Sequence, residues 1–239
     1  MTVIIATVRL QVIELVRLPA FLLPLAAFPT MLYVLLPANL ARPSLLTLLG
    51  YLAFAILGTM MFQFGVGIAT GRNDPWTIYT QTLPTRAVQR IVALVGAGIA
   101  FSALFCVPLV VAGSASGALR AATPGAIALI ILALLLGAVV HGLFGLSLGF
   151  WLPARGAVGI TNLVYFPLSY VGGLFGPVAP GPLTEIHPWT PTGGWMDLLH
   201  ASASGEFAGR PMLVLAGYAA AFGAATLVGY LRVERTVYA

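Results

Sequence analysis

The sequence predicts an all-α, polytopic membrane protein with six transmembrane helices, and three observations predict it. Hydrophobic residues make up 60% of the 239 positions and charged residues 7%. A water-soluble domain carries roughly 25% charged residues, so this chain has too few to build a solvated surface. Six segments approach or exceed the roughly 20 apolar residues that a helix needs to cross a ~30 Å hydrocarbon core. The charges that exist sit at the ends of those segments, hardly ever inside them. Lipid offers no hydrogen-bonding partner to backbone groups, so apolar runs of this length are helical.

Residues 1–17 precede the first span. On a helical wheel Ile4, Ile5, Val8, Val12, Leu15 and Val16 share one side, while Thr2, Thr7, Arg9, Gln11, Glu14 and Arg17 share a broad opposite arc. This pattern is that of an amphipathic helix lying in the membrane interface; a plain extension of the first span is the alternative. Arg9, Glu14 and Arg17, with no small-residue cleavage site behind them, do not read as a cleaved signal peptide.

The predicted spans are 18–36, 45–70, 87–113, 124–152, 157–175 and 212–231. Pro24 and Pro29 in the first and Pro108 in the third predict kinks or local unwinding, because proline removes an N–H from the helix. Along the fourth span Ala138, Gly142, Gly145 and Gly149 form a stripe of small residues, which lets a neighbouring helix approach closely. All eleven basic residues are Arg. With the N-terminus in the cytoplasm, Arg9, Arg17, Arg72, Arg86, Arg90, Arg155, Arg232 and Arg235 fall on the inner side and only Arg42, Arg120 and Arg210 on the outer side. Positive charge favours the cytoplasmic side, so both termini are expected there.

The segment 72–84, between spans two and three, carries its own helix signals. Asn73 or Asp74 is a good N-cap, Pro75 suits the first helical position, and Pro84 ends the segment. Trp76, Tyr79 and Leu83 recur at helical spacing on one face. That face either lies on lipid headgroups or fills a groove on a soluble partner. The outer stretch 176–210 holds Pro177, Pro180, Pro182, Pro188 and Pro191 together with Trp189 and Trp195. It is too broken for a domain and too apolar for a solvated loop. Two short helices, 184–187 and 194–201, are expected there as a re-entrant hairpin dipping into the outer leaflet and anchored by tryptophan.

Several chemistries are excluded. The net charge of +5 is spread singly, without the basic patch that nucleic-acid binding needs. Cys106 stands alone, so no intrachain disulfide forms. HExxH does not occur. A phosphate-binding P-loop needs a lysine, and the chain has none. Hence no catalytic residues, bound metal or cofactor are expected in this chain. Glu185, His187, Asp197 and His200 are the best candidates for a metal or an enzyme site, but their spacing matches no specific pattern, and they read better as interfacial polar residues. His141 is the only His, Asp, Glu or Arg near mid-membrane and reads as a packing residue. Buried carboxylates, which ion-coupled carriers usually need, are missing from the spans. Met60, Met61, Gln63 and Phe64 in span two, and Asn162, Tyr165, Phe166, Ser169 and Tyr170 in span five, combine soft, aromatic and hydrogen-bonding groups. They suit either an amphipathic ligand or ordinary interhelical packing.

Three segments together resemble the membrane-spanning subunit of an ABC-2 type transporter. They are the amphipathic N-terminal helix running into Arg17-Leu18-Pro19, the loop with Trp76 and Leu83-Pro84-Thr85-Arg86, and the run from Asn162 through Gly172-Gly173 to Pro180, followed by His187-Pro188. Many members place a Glu-Arg pair ahead of the coupling helix; here Arg72 comes first and Asp74 after it. The resemblance covers the whole chain as one transmembrane domain, 1–239. It implies a subunit of a bacterial inner-membrane exporter that moves a hydrophobic or amphipathic small molecule, drug- or lipid-like. It implies two copies of a separate ATP-binding subunit carrying ATP and Mg2+, and pairing with a second copy of this chain or a related permease. Arg72, Asp74, Trp76, Tyr79 and Leu83, with Arg9 and Glu14, would then face the ATPase. Met60, Gln63, Phe64, Asn162, Tyr165, Phe166 and Tyr170 would lie along the substrate pathway. Two other readings stay open: a membrane scaffold or assembly factor, and an intramembrane enzyme or secondary carrier that uses Glu185, His187, Asp197 or His141.

Overall fold

A computed structural model describes residues 19–72, 74, 75, 77, 79, 86–206 and 208–237. The N-terminal amphipathic segment with Arg9 and Glu14, and also Asn73, Trp76 and Leu83, lie outside these residues. Helices α1 (Pro19–Leu35), α2 (Pro37–Ala41) and α3 (Leu45–Met60) come first. A π-helical turn, Met61–Val66, joins α3 to α4 (Gly67–Gly71), so the rod runs unbroken from Leu45 to Gly71. Then follow α5 (Ala87–Ser116), α6 (Pro124–Trp151), α7 (Ala157–Val171), α8 (Pro182–Ile186), α9 (Pro191–Ser204) and α10 (Gly209–Val237). The described residues contain no strand.

Among the described residues, four helical stretches are long and apolar enough to cross a membrane: Leu45–Gly71, Ala87–Ser116, Pro124–Trp151 and Gly209–Glu234. Helix α7 is apolar but has only 15 residues, about 22 Å at 1.5 Å per residue. It stops short of the expected 175 because Gly172 and Gly173 follow, and Gly173 turns the chain at φ 67°. Helix α5 runs past the expected 113 to Ser116, because Gly117 at φ 85° is the residue that ends it. The start of α6 is set by Thr123, whose hydroxyl accepts the Ala126 N–H at 3.2 Å, with Pro124 in the first turn.

Helix α1 continues through Pro29 and α5 through Pro108 without unwinding. The departure from α geometry falls instead at Met61–Val66, where no proline stands. Just before it, the Thr59 hydroxyl donates to the Ala55 carbonyl at 2.8 Å. Such back-bonding competes with the helix ladder and bends helices.

The rod Leu45–Gly71 is the centre of the fold. In its most apolar stretch 78% of the residues are buried, against 17% for α10, which therefore lies at the periphery. Helices α1, α5, α6, α7 and α9 pack around the rod, and α10 packs on α6. The small-residue stripe of α6 does what its spacing predicts. A methyl at Gly145 would collide with the Met60 carbonyl, and one at Gly149 with the Phe64 carbonyl. The two backbones touch with no side-chain layer between them.

Candidate functional site

The end of the bundle where Leu45–Gly71 and α6 finish is tied together by side chains reaching backbone. Arg72 donates from Nη1 to the Phe150 carbonyl at 3.3 Å, and from Nη2 to the Leu152 carbonyl. The last carbonyls of a helix have no partner in their own ladder and carry partial negative charge. Arg72 thus caps α6 across 80 residues of sequence. Burial and the positive charge of Arg232 both push its pKa down from its usual value. Trp151, one residue on, donates Nε1–H to the Ala225 carbonyl at 3.0 Å, and the Arg232 guanidinium lies 5.4 Å from its ring centroid. Phe150 meets Tyr230 edge-on at 5.7 Å. Arg72 therefore sits where α4, α6 and α10 converge, with the segment 72–86 directly after it. Of that segment Pro75, Thr77 and Tyr79 are helical, Asp74 is exposed, and Tyr79 is 56% exposed.

The seven residues read as pathway lining divide into two groups on opposite sides of the rod. Met60 and Phe64 are buried and face α5 and α6, filling the space left by Gly98 and Gly142. Tyr165 is buried on the other side. Its ring stacks on Phe54 at 4.8 Å, meets Phe62 edge-on at 5.5 Å, and its hydroxyl donates to the Phe54 carbonyl at 3.1 Å. Gly58 makes room for it. Gln63 and Asn162 are half-buried, and the Asn162 amide donates to the Val158 carbonyl of its own helix at 3.0 Å. Phe166 and Tyr170 are exposed. Helix α7 therefore has two faces: Thr161, Tyr165 and Ser169 point into the bundle at four-residue spacing, while Leu163, Phe166 and Tyr170 point out of it.

The opposite end is closed by 176–206. The expected short helices are present as Pro182–Ile186 and Pro191–Ser204. Of the two tryptophans of this region, Trp195 departs from expectation. Trp189 is 62% exposed, with Arg210 4.7 Å from its ring centroid. Trp195 is not a surface anchor: it is fully buried, lies against Gly137, donates Nε1–H to the Ala133 carbonyl at 2.8 Å, and has the His141 ring 4.8 Å away. His141 is itself fully buried, its Nδ1 2.8 Å from the Gly137 carbonyl. Of Glu185, His187, Asp197 and His200, only His187 and Asp197 form an ion pair, at 3.2 Å. No group of three or more potential metal ligands stands together among the described residues.

Sequence reasoning missed the cap by Arg72, the Trp151–Arg232 contact and the burial of Trp195. A signal existed for the last: Gly137 lies one turn before His141 and next to Ala138, the first residue of the small-residue stripe, which marks a site for a bulky partner. No protein-family model, curated protein or solved structure matches the chain.

Proposed function

We propose that this chain is the membrane-spanning subunit of an ATP-driven exporter of ABC-2 type, which moves a hydrophobic or amphipathic small molecule. The observation that carries the reading is the attachment of Arg72. The segment 72–84, read from its sequence as a docking helix for an ATPase, begins at a residue fixed to the end of α6. A push on that segment would pass directly into α6 and, through Trp151, into α10. In this reading α1 and α7 complete six crossings, 176–210 is a re-entrant hairpin on the outer side, and both termini are cytoplasmic in a bacterial inner membrane. The open face of α7, with Leu163, Phe166 and Tyr170, would meet a second copy or a related permease. Substrate would pass beside Gln63, Asn162, Phe166 and Tyr170. Met60, Phe64 and Tyr165, buried within one subunit, would shape the pathway from behind. ATP and Mg2+ belong to the partner subunits, two per transporter, because this chain has no lysine for a P-loop.

The test is a pull-down from detergent-solubilised membranes, followed by an ATPase assay. Wild type is expected to bring down a nucleotide-binding subunit, and the pair Trp76→Ala/Leu83→Ala to lose it or uncouple its ATPase. A well-folded wild type that brings down no ATPase would refute the proposal.

A further inference from the structure

The last carbonyls of α7 show how the outer segment is held. Pro167 lies inside this helix, and Leu168, Ser169, Tyr170 and Val171 are its final residues, whose carbonyls must find partners beyond the helix ladder. The Gly172 N–H reaches Leu168 at 2.9 Å, the Leu174 N–H reaches Ser169 at 3.1 Å, and the Gly173 N–H reaches Tyr170 at 3.0 Å. The Thr192 hydroxyl adds a second bond to Leu168 at 2.8 Å. Val171 is served by the ring of His187, whose Nδ1 lies 2.9 Å from its carbonyl.

The other ring nitrogen of His187, Nε2, lies 3.2 Å from Oδ1 of Asp197 on α9. A carbonyl and an ionised carboxylate only accept hydrogen bonds. Each ring nitrogen must therefore carry a proton to satisfy both contacts, and only the imidazolium form does. A neutral ring would donate to Val171 and turn a lone pair toward the carboxylate. Neither side chain is sealed inside the bundle, since that of His187 is 17% and that of Asp197 36% exposed. The titratable and charged groups on the surrounding elements include Asp197 and His200 on α9, Glu185 on α8, Tyr165 and Tyr170 on α7, and Arg210 and Tyr218 on α10. Of these only Asp197 stands within ion-pair distance.

We infer that His187 is a proton-controlled latch: its imidazolium joins the end of α7 to α9, and loss of the proton breaks the Asp197 half of the joint. The hydrogen bond that the ring donates to Asp197 raises the His187 pKa above its ordinary 6.5, against an opposing effect of burial. His200 is shifted the other way, downward, by burial first. A group whose folded-state pKa is raised contributes its full stabilisation below the unfolded value and loses it as pH climbs through the folded one. The latch is therefore closed below 6.5 and opens as pH rises past the raised value. The inference does not depend on the transport reading.

The experiment uses the full chain in lipid nanodiscs with 15N-labelled histidine, titrated by NMR. The signals of His187, one of three histidines, are assigned by a His187→Gln variant. His187 is expected to show protons on both nitrogens at pH 6 and to titrate above 6.5. The Asp197→Asn variant supplies the sharper test. An asparagine amide can donate to Nε2 while Nδ1 still donates to Val171, so the neutral ring then satisfies both contacts. The His187 titration should fall below 6.5, and the thermal midpoint should lose its preference for acid. A neutral His187 at pH 6 in wild type overturns the inference, as does an unchanged titration in Asp197→Asn. Should that variant not fold, the wild-type titration decides alone.

Discussion

Trp195 offers a direct measure of how the outer segment is joined to the rest of the bundle. Its indole is fully buried between Gly137 and the His141 ring and is hydrogen-bonded to the Ala133 carbonyl. Truncating a buried tryptophan to alanine costs about 3–5 kcal/mol through lost contacts and the cavity left behind. The hydrogen bond adds about 1 kcal/mol, at the low end of its range because Ala133 keeps a partner in its own helix. A chain of this size loses about 2–4 °C of midpoint per kcal/mol, so Trp195→Ala should melt roughly 8–24 °C lower in circular-dichroism scans of the micellar protein. Trp195→Phe, which keeps most of the ring, should lose about 1–3 kcal/mol. Trp189→Ala is the control. That ring is exposed and touches Arg210 at 4.7 Å, a contact worth about 0.5–1 kcal/mol. If Trp195→Ala melts within about 2 °C of Trp189→Ala, Trp195 is a surface anchor and the packing argument is wrong.

Gly145→Ala and Gly149→Ala place a methyl against the Met60 and Phe64 carbonyls and should each destabilise by about 1–3 kcal/mol. Gly217→Ala in α10, where nothing lies within 4 Å, should instead stabilise by about 1 kcal/mol through helix propensity; equal effects at the two kinds of site in thermal melts would refute the backbone contact. Arg72→Ala removes both bonds to the end of α6. It should cost about 1–2 kcal/mol, less than a fully buried charged pair because the site is partly wet. Arg72→Lys should recover only part of that, since an ammonium lacks the planar fork, and full rescue by lysine would show that charge alone matters. Tyr165→Phe loses one hydrogen bond and about 1 kcal/mol, while Tyr165→Ala also empties the stack on Phe54 and should cost about 3–5 kcal/mol. Denaturant titration followed by circular dichroism separates the two.

The start of α6 was read at 124, and the structure shows why, since the Thr123 hydroxyl and the Pro124 ring each favour one position. The same Thr-Pro pairing starts α9 at Pro191, three residues before the expected 194. Ends were read less well, because any glycine can stop a helix and the sequence does not say which one does. The chain passes Gly113, which sits against Leu48, and stops at Gly117. The turn at Met61–Val66 leaves no mark in hydropathy, as one extra residue per turn does not change which segment is apolar. The candidate site was legible as a set of residue types but not as an arrangement. Spacing placed Met60, Gln63 and Phe64 in one segment; only packing shows that Met60 and Phe64 are enclosed by glycines while Tyr165 closes the other side. Arg72 drew attention as a charge at a loop, and its role in capping α6 depends on Phe150 and Leu152, distant in sequence.

Taken together, the contacts divide the molecule by how its helices can move. Between the rod and α6 the backbones meet at Gly145 and Gly149. Interlocked surfaces of that kind shift as one body, because a sliding step would drive a carbonyl into a Cα. Helix α7 is held differently. Its middle rests on the rod through side chains, Tyr165 above all, and its end is held by Thr192 and by a titratable ring. Side-chain contacts can be exchanged one at a time, without one backbone having to pass another. A displacement delivered at Arg72 would thus carry α6, α10 and the rod together, and the compliant joint would lie between that block and α7. The outward face of α7, with Leu163, Phe166 and Tyr170, is then the surface whose surroundings change most.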